Sequence, residues 1–390
     1  MNTARLASLA LCIPSLLLGQ AATQPARHES LRQEISLSYE RGLNWLRRQQ
    51  NPQTGQWGDA EPVAFTALAV SSFLLTPGRK PMDPVPAEAQ RGINFLLSQV
   101  KPDGGIYIKA RANYNTSLAL TALMMAPPVK EREGILLAAR RFIIGQQNDF
   151  DEKGKSDNPF DGGVGYGTPK PGKPAHADLS NTHFALEALY FSQALLADKG
   201  DAGKNEPQLN FSAAIEFIKN CQNMPQNKAS WVSDDPKDKG GFIYSPGETR
   251  GGETKTKDGR VALRSYGSIS YAGLLSFIYA GLDKGDPSVK AVLQWLSENY
   301  TLDENPGLGN QGKFYYFHTM AKALATAKID YLKTKDGKQV DWRVDLGQRL
   351  LSQQGGDGSW ANSEGRWMES DAVLCTSYIL MALARVHNQL

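Results

Sequence analysis

The stretch RGLNWLRRQQNPQTGQWG, Arg41 to Gly58, decides the fold. Its first half ends a helix in which Ile35, Tyr39, Leu43 and Leu46 recur at three-to-four spacing, with charges on the opposite side. That is one apolar stripe on an otherwise solvated helix. Glutamines follow, then a glycine-bearing turn closed by a tryptophan. The same phrase returns as RGINFLLSQVKPDGGIY (91–107) and as ARRFIIGQQND (139–149), which reaches DGGVGYG (161–167) after an insertion. It returns again as AAIEFIKNCQN (213–223) before KGGFIYSPG (239–247). A degenerate copy, VKAVLQWLSENYTLDENPGLGNQGKF, covers 289–314, and LGQRLLSQQGGDGSW covers 346–360. Self-similarity at this spacing marks a repeat architecture.

Each turn is followed by a second kind of helix. These are VAFTALAVSSFLL (63–75), NTSLALTALMMA (115–126), NTHFALEALYFSQALL (181–196), SISYAGLLSFIYAGL (268–282), YYFHTMAKALATA (315–327) and DAVLCTSYILMALARV (371–386). They are apolar nearly all round, as buried helices are. The striped helices therefore belong to an outer layer and the apolar ones to an inner layer. Alternating strand patterns are missing, so a sheet is not expected. An open solenoid needs polar capping repeats at its ends, and none is visible. The expected fold is all-α, a closed double ring of six helix pairs.

The pattern Arg41-Gly42, Trp45-Leu46, Gln49, then Gly55-Gln56-Trp57 resembles the QW motif of the squalene cyclase and protein prenyltransferase superfamily. Arg91-Gly92, Phe95-Leu96 and Gln99 fit apart from the tryptophan, and Gln353 or Gln354 with Gly358-Ser359-Trp360 fits again. The resemblance covers roughly residues 33 to 390. It implies an (α/α)6 toroid whose inner helices direct their N-terminal ends toward the reaction site. The motif glutamine is expected to bond free carbonyls at the outer helix end, with glycine allowing the tight turn. Trp57 and Trp360 are expected to pack in these turns.

The resemblance also draws attention to HADLSNTHFALEALYF (176–191). Triterpene cyclases carry Asp-x-Asp-Asp-Thr in a comparable setting, and the central Asp protonates the substrate. Here the segment reads Asp178-Leu179-Ser180-Asn181-Thr182. Ser180 and Asn181 stand where the acid pair would be, and neither delivers a proton to an alkene. Asp178 is expected to cap the helix. The prenyltransferase branch implies a zinc bound by Asp, Cys and His. Asp371 and Cys375 are four apart on one helix, but His387 lies about 18 Å further along its axis. No metal site is expected, and Cys375 reads as a small core residue.

Taken together, the starts of the inner helices are polar and aromatic. They offer Asn113, Tyr114, Asn115, Asp178, Ser180, Asn181, His183, Arg264, Tyr266, Ser268, Tyr271, Tyr315, Tyr316, His318, Glu369, Ser370 and Asp371. Capping explains the Asn, Asp and Ser residues. It does not explain the tyrosines or histidines. Asp178, His183 and Asp371 are the candidates for acid–base work. Asn115, Ser180, Asn181, Tyr266, Tyr271, Tyr315, Tyr316, His318 and Cys375 are the candidates for lining a ligand cavity.

Other features bound the function. The net charge is +3 with both signs mixed along the chain, which leaves no basic footprint for nucleic acid. Arg5, the apolar LASLALCIPSLLLG and the small Gly19-Gln20-Ala21 read as a cleaved export signal over residues 1–21. That apolar run of about 14 residues is short of the ~20 that span a bilayer. Cys221 and Cys375 then remain, too few for a disulfide framework. The acidic run 148–163 lacks calcium-loop order, and 247–264 reads as a lid or a plain insertion. No Walker loop, Gly-x-Ser-x-Gly or His-Glu-x-x-His occurs, and no cofactor is expected. The expected partner is an apolar small molecule or lipid. A non-catalytic binding toroid and a carbohydrate-active toroid such as a polysaccharide lyase are the alternatives, because fold alone does not choose among them.

Overall fold

The two helix types separate into two concentric rings. The computed structural model describes residues 28–167, 176–197 and 199–390. The export signal expected over residues 1–21 lies outside them. The helices come in pairs, the first outer and the second inner. They are α1 (Glu29–Gln49) and α2 (Pro62–Leu74), α3 (Ala87–Ser98) and α4 (Ala112–Met125), α5 (Lys130–Ile144) and α6 (Leu179–Ser192). The series continues with α7 (Phe211–Asn220) and α8 (Gly267–Tyr279), α9 (Pro287–Glu298) and α10 (Lys313–Thr326), α11 (Trp342–Ser352) and α12 (Ala372–Gln389). Two one-turn helices, Ala194–Ala197 and Asp201–Lys204, follow α6.

Each inner helix packs on the next, and α12 closes the circle against α2. Sequence chemistry explains the layering. From Val63 to Leu74 every residue of α2 is buried, whereas α1 buries a stripe through Leu31, Ile35, Tyr39, Leu43 and Leu46. The fold is an all-α (α/α)6 toroid. Strands are limited to two short antiparallel hairpins among the described residues. Glu253–Lys255 pairs with Val261–Leu263 inside the 247–264 insertion, and Tyr331–Lys333 pairs with Gln339–Asp341. Among the described residues no helix is long and apolar enough to cross a membrane.

The repeated turn is a joint between neighbouring pairs. Gln50 donates to the carbonyl of Gly55 in its own turn (2.8 Å) and to that of Glu88 in the next outer helix (2.9 Å). Gln222 does the same with Gly240 and Ser288. Gln354 reaches Gly358 and Ser38, which joins the last repeat to the first. The motif glutamine thus stands one place later than Gln49, and it bridges two repeats instead of finishing its own helix. In the second repeat Val100 occupies that place and pairs with Ile106 through the backbone.

The turn glycines are dictated by the same joint. Gly55 has φ 81°, and a Cβ there would come within 2.6 Å of the Arg91 carbonyl oxygen. Gly358, with φ 98°, would meet the Arg41 carbonyl oxygen at the same distance. Both the left-handed backbone and the close approach demand glycine. Trp57 and Trp360 are fully buried in these turns, and their indole N–H groups donate to Leu46 and Leu350 carbonyls at 2.7 and 2.9 Å.

Candidate ligand site on the ring axis

Residues three, four and seven apart share one helix face. Ser180, His183, Phe184 and Glu187 form such a face on α6, and Tyr315, His318 and Lys322 form one on α10. α8 stands between these two helices in the ring, so side chains that join them meet through the middle. Tyr114 of α4 and Tyr378 of α12 also join across a neighbour, α2. Their hydroxyls are close enough to interact.

Two levels result. Toward the N-terminal ends lies a cluster of packed aromatic rings, the aromatic cup. Phe184 meets Tyr114 edge-on with centroids 5.1 Å apart and Tyr315 at 6.3 Å. Tyr315 meets Tyr378 at 5.8 Å, and its hydroxyl lies 3.5 Å from Ser180 Oγ. Tyr114, Ser180 and Tyr315 are half-buried, which makes them the mouth, while Phe184 and Tyr378 are buried beneath.

The floor of the cup is polar. Lys322 Nζ lies 2.8 Å from Glu187 Oε2, and both side chains are buried. The Tyr279 hydroxyl donates to Glu187 Oε1 at 3.5 Å. His183 stacks on Tyr279, with Nε2 4.0 Å from Glu187 Oε2, and His318 stacks on Tyr378. Burial pushes the Glu187 carboxyl up, but the Lys322 ammonium, with its hydrogen bond, and the more distant Arg385 charge outweigh it, so the net direction is down. Burial lowers the Lys322 amine, and Glu187 partly restores it. Both histidines are held neutral, chiefly by burial and then by the Lys322 charge. His183 is lowered to about 3, and His318 well below its usual value.

That neutrality has a pH signature. Below about pH 6.5 the unfolded chain binds protons that the folded histidines refuse, until the folded value is reached. Stability therefore rises with pH across that window, by about 1.4 kcal/mol per pH unit for each such histidine. Urea unfolding between pH 7.5 and 5 is expected to show progressive loss on acidification, with a shallower loss in His183→Phe. Constant wild-type stability over that range contradicts neutral burial.

The structure gathers some of the sequence candidates and scatters others. Ser180, His183, Tyr315 and His318 meet on the axis. Asp178 sits at the edge of the mouth as the N-cap of α6, accepting from the Asn181 N–H and from Asn181 Nδ2, both at 2.8 Å. His176 Nε2 lies 3.3 Å from Asp178 Oδ2, the oxygen that also accepts from Asn181 Nδ2. Tyr266 is buried at the start of α8.

The rest stand elsewhere. Asn115 ties α4 to α2, with Oδ1 accepting from the Ala64 N–H at 3.0 Å. Tyr271 packs on Tyr316, whose hydroxyl donates to the Thr301 carbonyl beyond α9, so both lie between the rings. Cys375 is buried and free, like Cys221, and its thiol donates to the Glu369 carbonyl. Asp371 caps α12 through the Val373 N–H and lines a rim groove with Trp45, Gln49 and Asp59. It does not join His183.

The Asp-Leu-Ser-Asn-Thr segment has a repeat-wide explanation. Thr182 Oγ1 accepts from the Val164 N–H at 2.9 Å. Thr66, Thr116, Ser270 and Thr376 do the same for Trp57, Ile106, Phe242 and Trp360. Thr182 is thus the structural hydroxyl of its repeat.

Sequence reading missed Phe184, Glu187, Tyr279, Lys322 and Tyr378. A signal existed for the two charges: each stands mid-helix among apolar neighbours, four residues after a histidine.

No known family's sequence profile matches the chain, and no curated protein matches it. Solved structures do. Type II terpene cyclase MstE from Scytonema, as a variant in complex with merosterolic acid A (product), superposes with a TM-score of 0.53 at 13% identity. The match covers 93% of this chain and 99% of that one. The chain has a terpenoid-cyclase-like fold. A second MstE variant, in complex with geranylgeranyl dihydroxybenzoate (substrate), matches at TM-score 0.53 and 12% identity, again over 93% and 99% of the two chains. A protein from Actinoplanes shares the fold at TM-score 0.50 and 13% identity, over 90% and 99%.

Proposed function

We propose that this chain is an exported relative of the squalene cyclases and protein prenyltransferases that binds an isoprenoid or similar apolar ligand without cyclising it by alkene protonation. The aromatic cup of Tyr114, Phe184, Tyr315 and Tyr378 carries this reading. It offers contiguous π-faces at the N-terminal end of the inner ring, with a half-buried mouth. The prenylated substrate bound by MstE supports the ligand class. Binding without turnover is supported by how the axis-side carboxylates are used. Asp178 is engaged as a cap, Glu187 is engaged by Lys322, and Ser180 stands at the acid's place. A serine hydroxyl is far too weak an acid to protonate an alkene.

Titration with geranylgeraniol, followed by protein fluorescence, is expected to give saturable binding. Tyr315→Ala is expected to weaken it about tenfold, the equivalent of 1.4 kcal/mol. Incubation with squalene is expected to leave squalene only. Cyclic triterpene formed by the wild type and lost in Asp178→Asn overturns the reading. For export, mass spectrometry of protein from the native cell envelope is expected to find no peptide covering Leu9 to Gly19. Mature protein that retains Met1 rules the processing out.

A further inference from the structure

Below the cup the structure leaves a discrepancy that the isoprenoid reading does not absorb. His183 is fully buried, and among the described residues neither ring nitrogen has a hydrogen-bond partner; His318, equally buried, has an Nδ1 without a partner among them. Buried polar groups in folded proteins are almost always paired, because an unpaired one costs about 1–3 kcal/mol. Both imidazoles lie directly beneath the aromatic rings that line the axis. His183 touches Phe184 and Tyr279, and His318 touches Tyr378. Each is neutral, so each offers one donor and one acceptor.

The same two rings connect these histidines to the mouth. Phe184 contacts Tyr114 and Tyr315 on its outer side and His183, at 5.1 Å, on its inner side. Tyr378 contacts Tyr315 at the mouth and His318, at 5.0 Å, below. An apolar chain that enters between Tyr114 and Tyr315 meets Phe184 and Tyr378 first. The imidazoles stand directly behind those two rings.

We infer that His183 and His318 recognise a polar end group, a hydroxyl or carbonyl, on the ligand's buried end. The ligand class is then an isoprenoid alcohol or ketone, and not a hydrocarbon such as squalene. This rests on the isoprenoid reading of the cup and adds the chemistry of the ligand's terminus. The physical basis is asymmetry. A site with buried groups that hydrogen-bond a hydroxyl strongly rejects the analogue without it, because those groups stay unpaired. A wholly apolar floor lacks that asymmetry.

The test compares geranylgeraniol with the hydrocarbon in which hydrogen replaces its hydroxyl. The wild type is expected to bind the alcohol at least about tenfold tighter, one hydrogen bond's worth. His183→Phe and His318→Phe are each expected to shrink that ratio toward one. A readout on the unaltered protein guards against variants that misfold. In protein labelled with 15N-histidine, the alcohol is expected to shift the ring-nitrogen resonances of both buried histidines, and the hydrocarbon to leave them in place. Equal affinity for the two compounds, or unmoved histidine resonances with bound alcohol, overturns the inference and leaves internal water as the partner. Binding of neither compound overturns the isoprenoid reading itself, and this assignment with it.

Discussion

Lys322→Met is expected to destabilise the protein by about 3–5 kcal/mol, and Glu187→Gln by a similar amount, because each leaves the other's charge buried without its partner. The two groups lie 2.8 Å apart with 2% and 3% of their side chains exposed. They are 135 residues apart in sequence and bridge α6 and α10 through the middle of the ring. The surroundings cannot solvate a lone charge. Phe184, Tyr279 and the two neutral histidines enclose it, and the Lys322 ammonium already lies over the Phe184 ring. The double variant Glu187→Leu with Lys322→Met is expected to recover most of the loss, since a buried ion pair replaced by apolar groups of similar size is often neutral or stabilising. Equilibrium urea unfolding of the four proteins checks the cycle. Single variants within about 1 kcal/mol of wild type would mean that water reaches the pair.

The second large effect is expected at the joints. Trp57→Ala or Trp360→Ala removes a fully buried indole and the hydrogen bond to Leu46 or Leu350, a loss of about 3–5 kcal/mol. The neighbours cannot collapse into the space. Gly92 approaches the Trp57 ring and Gly42 the Trp360 ring, and both glycines sit in outer helices held by the glutamine bridges. Trp360 adds a second consequence, because its turn joins the last repeat to the first. Thermal unfolding of both variants, beside the exposed control Trp367→Ala, measures the effect. Unchanged melting in both would refute the packing role.

The ring was legible in the sequence because its determinants are local. In the first, second and sixth copies a stripe at three-to-four spacing, a glutamine, a glycine that must adopt positive φ and an aromatic closure lie within about twenty residues of each other. Each of these copies announces itself without reference to the rest of the chain. The polar character of the inner-helix starts was legible for the same reason, and so was Asp178 as a cap, since a cap bonds its own helix. The place of the motif glutamine was misread by one residue. One of its two partners lies in the next repeat, and Gln49 and Gln50 look alike until that partner is in position.

Only the tertiary structure decided which inner-helix residues face one another. An inner helix is apolar all round, so its sequence carries no stripe to say which face points to the axis. Rotating α10 by a single residue, about 100°, exchanges Tyr315 for Tyr316. The sequence offers both tyrosines equally, yet one lines the cup and the other bonds Thr301 between the rings. Packing of all six inner helices sets that rotation. It brings Glu187 to Lys322 and His318 to Tyr378, and it leaves Asn115, Tyr271, Cys375 and Asp371 in other surroundings. Local chemistry determined the ring, and the shared phase of its inner helices determined what stands at its centre.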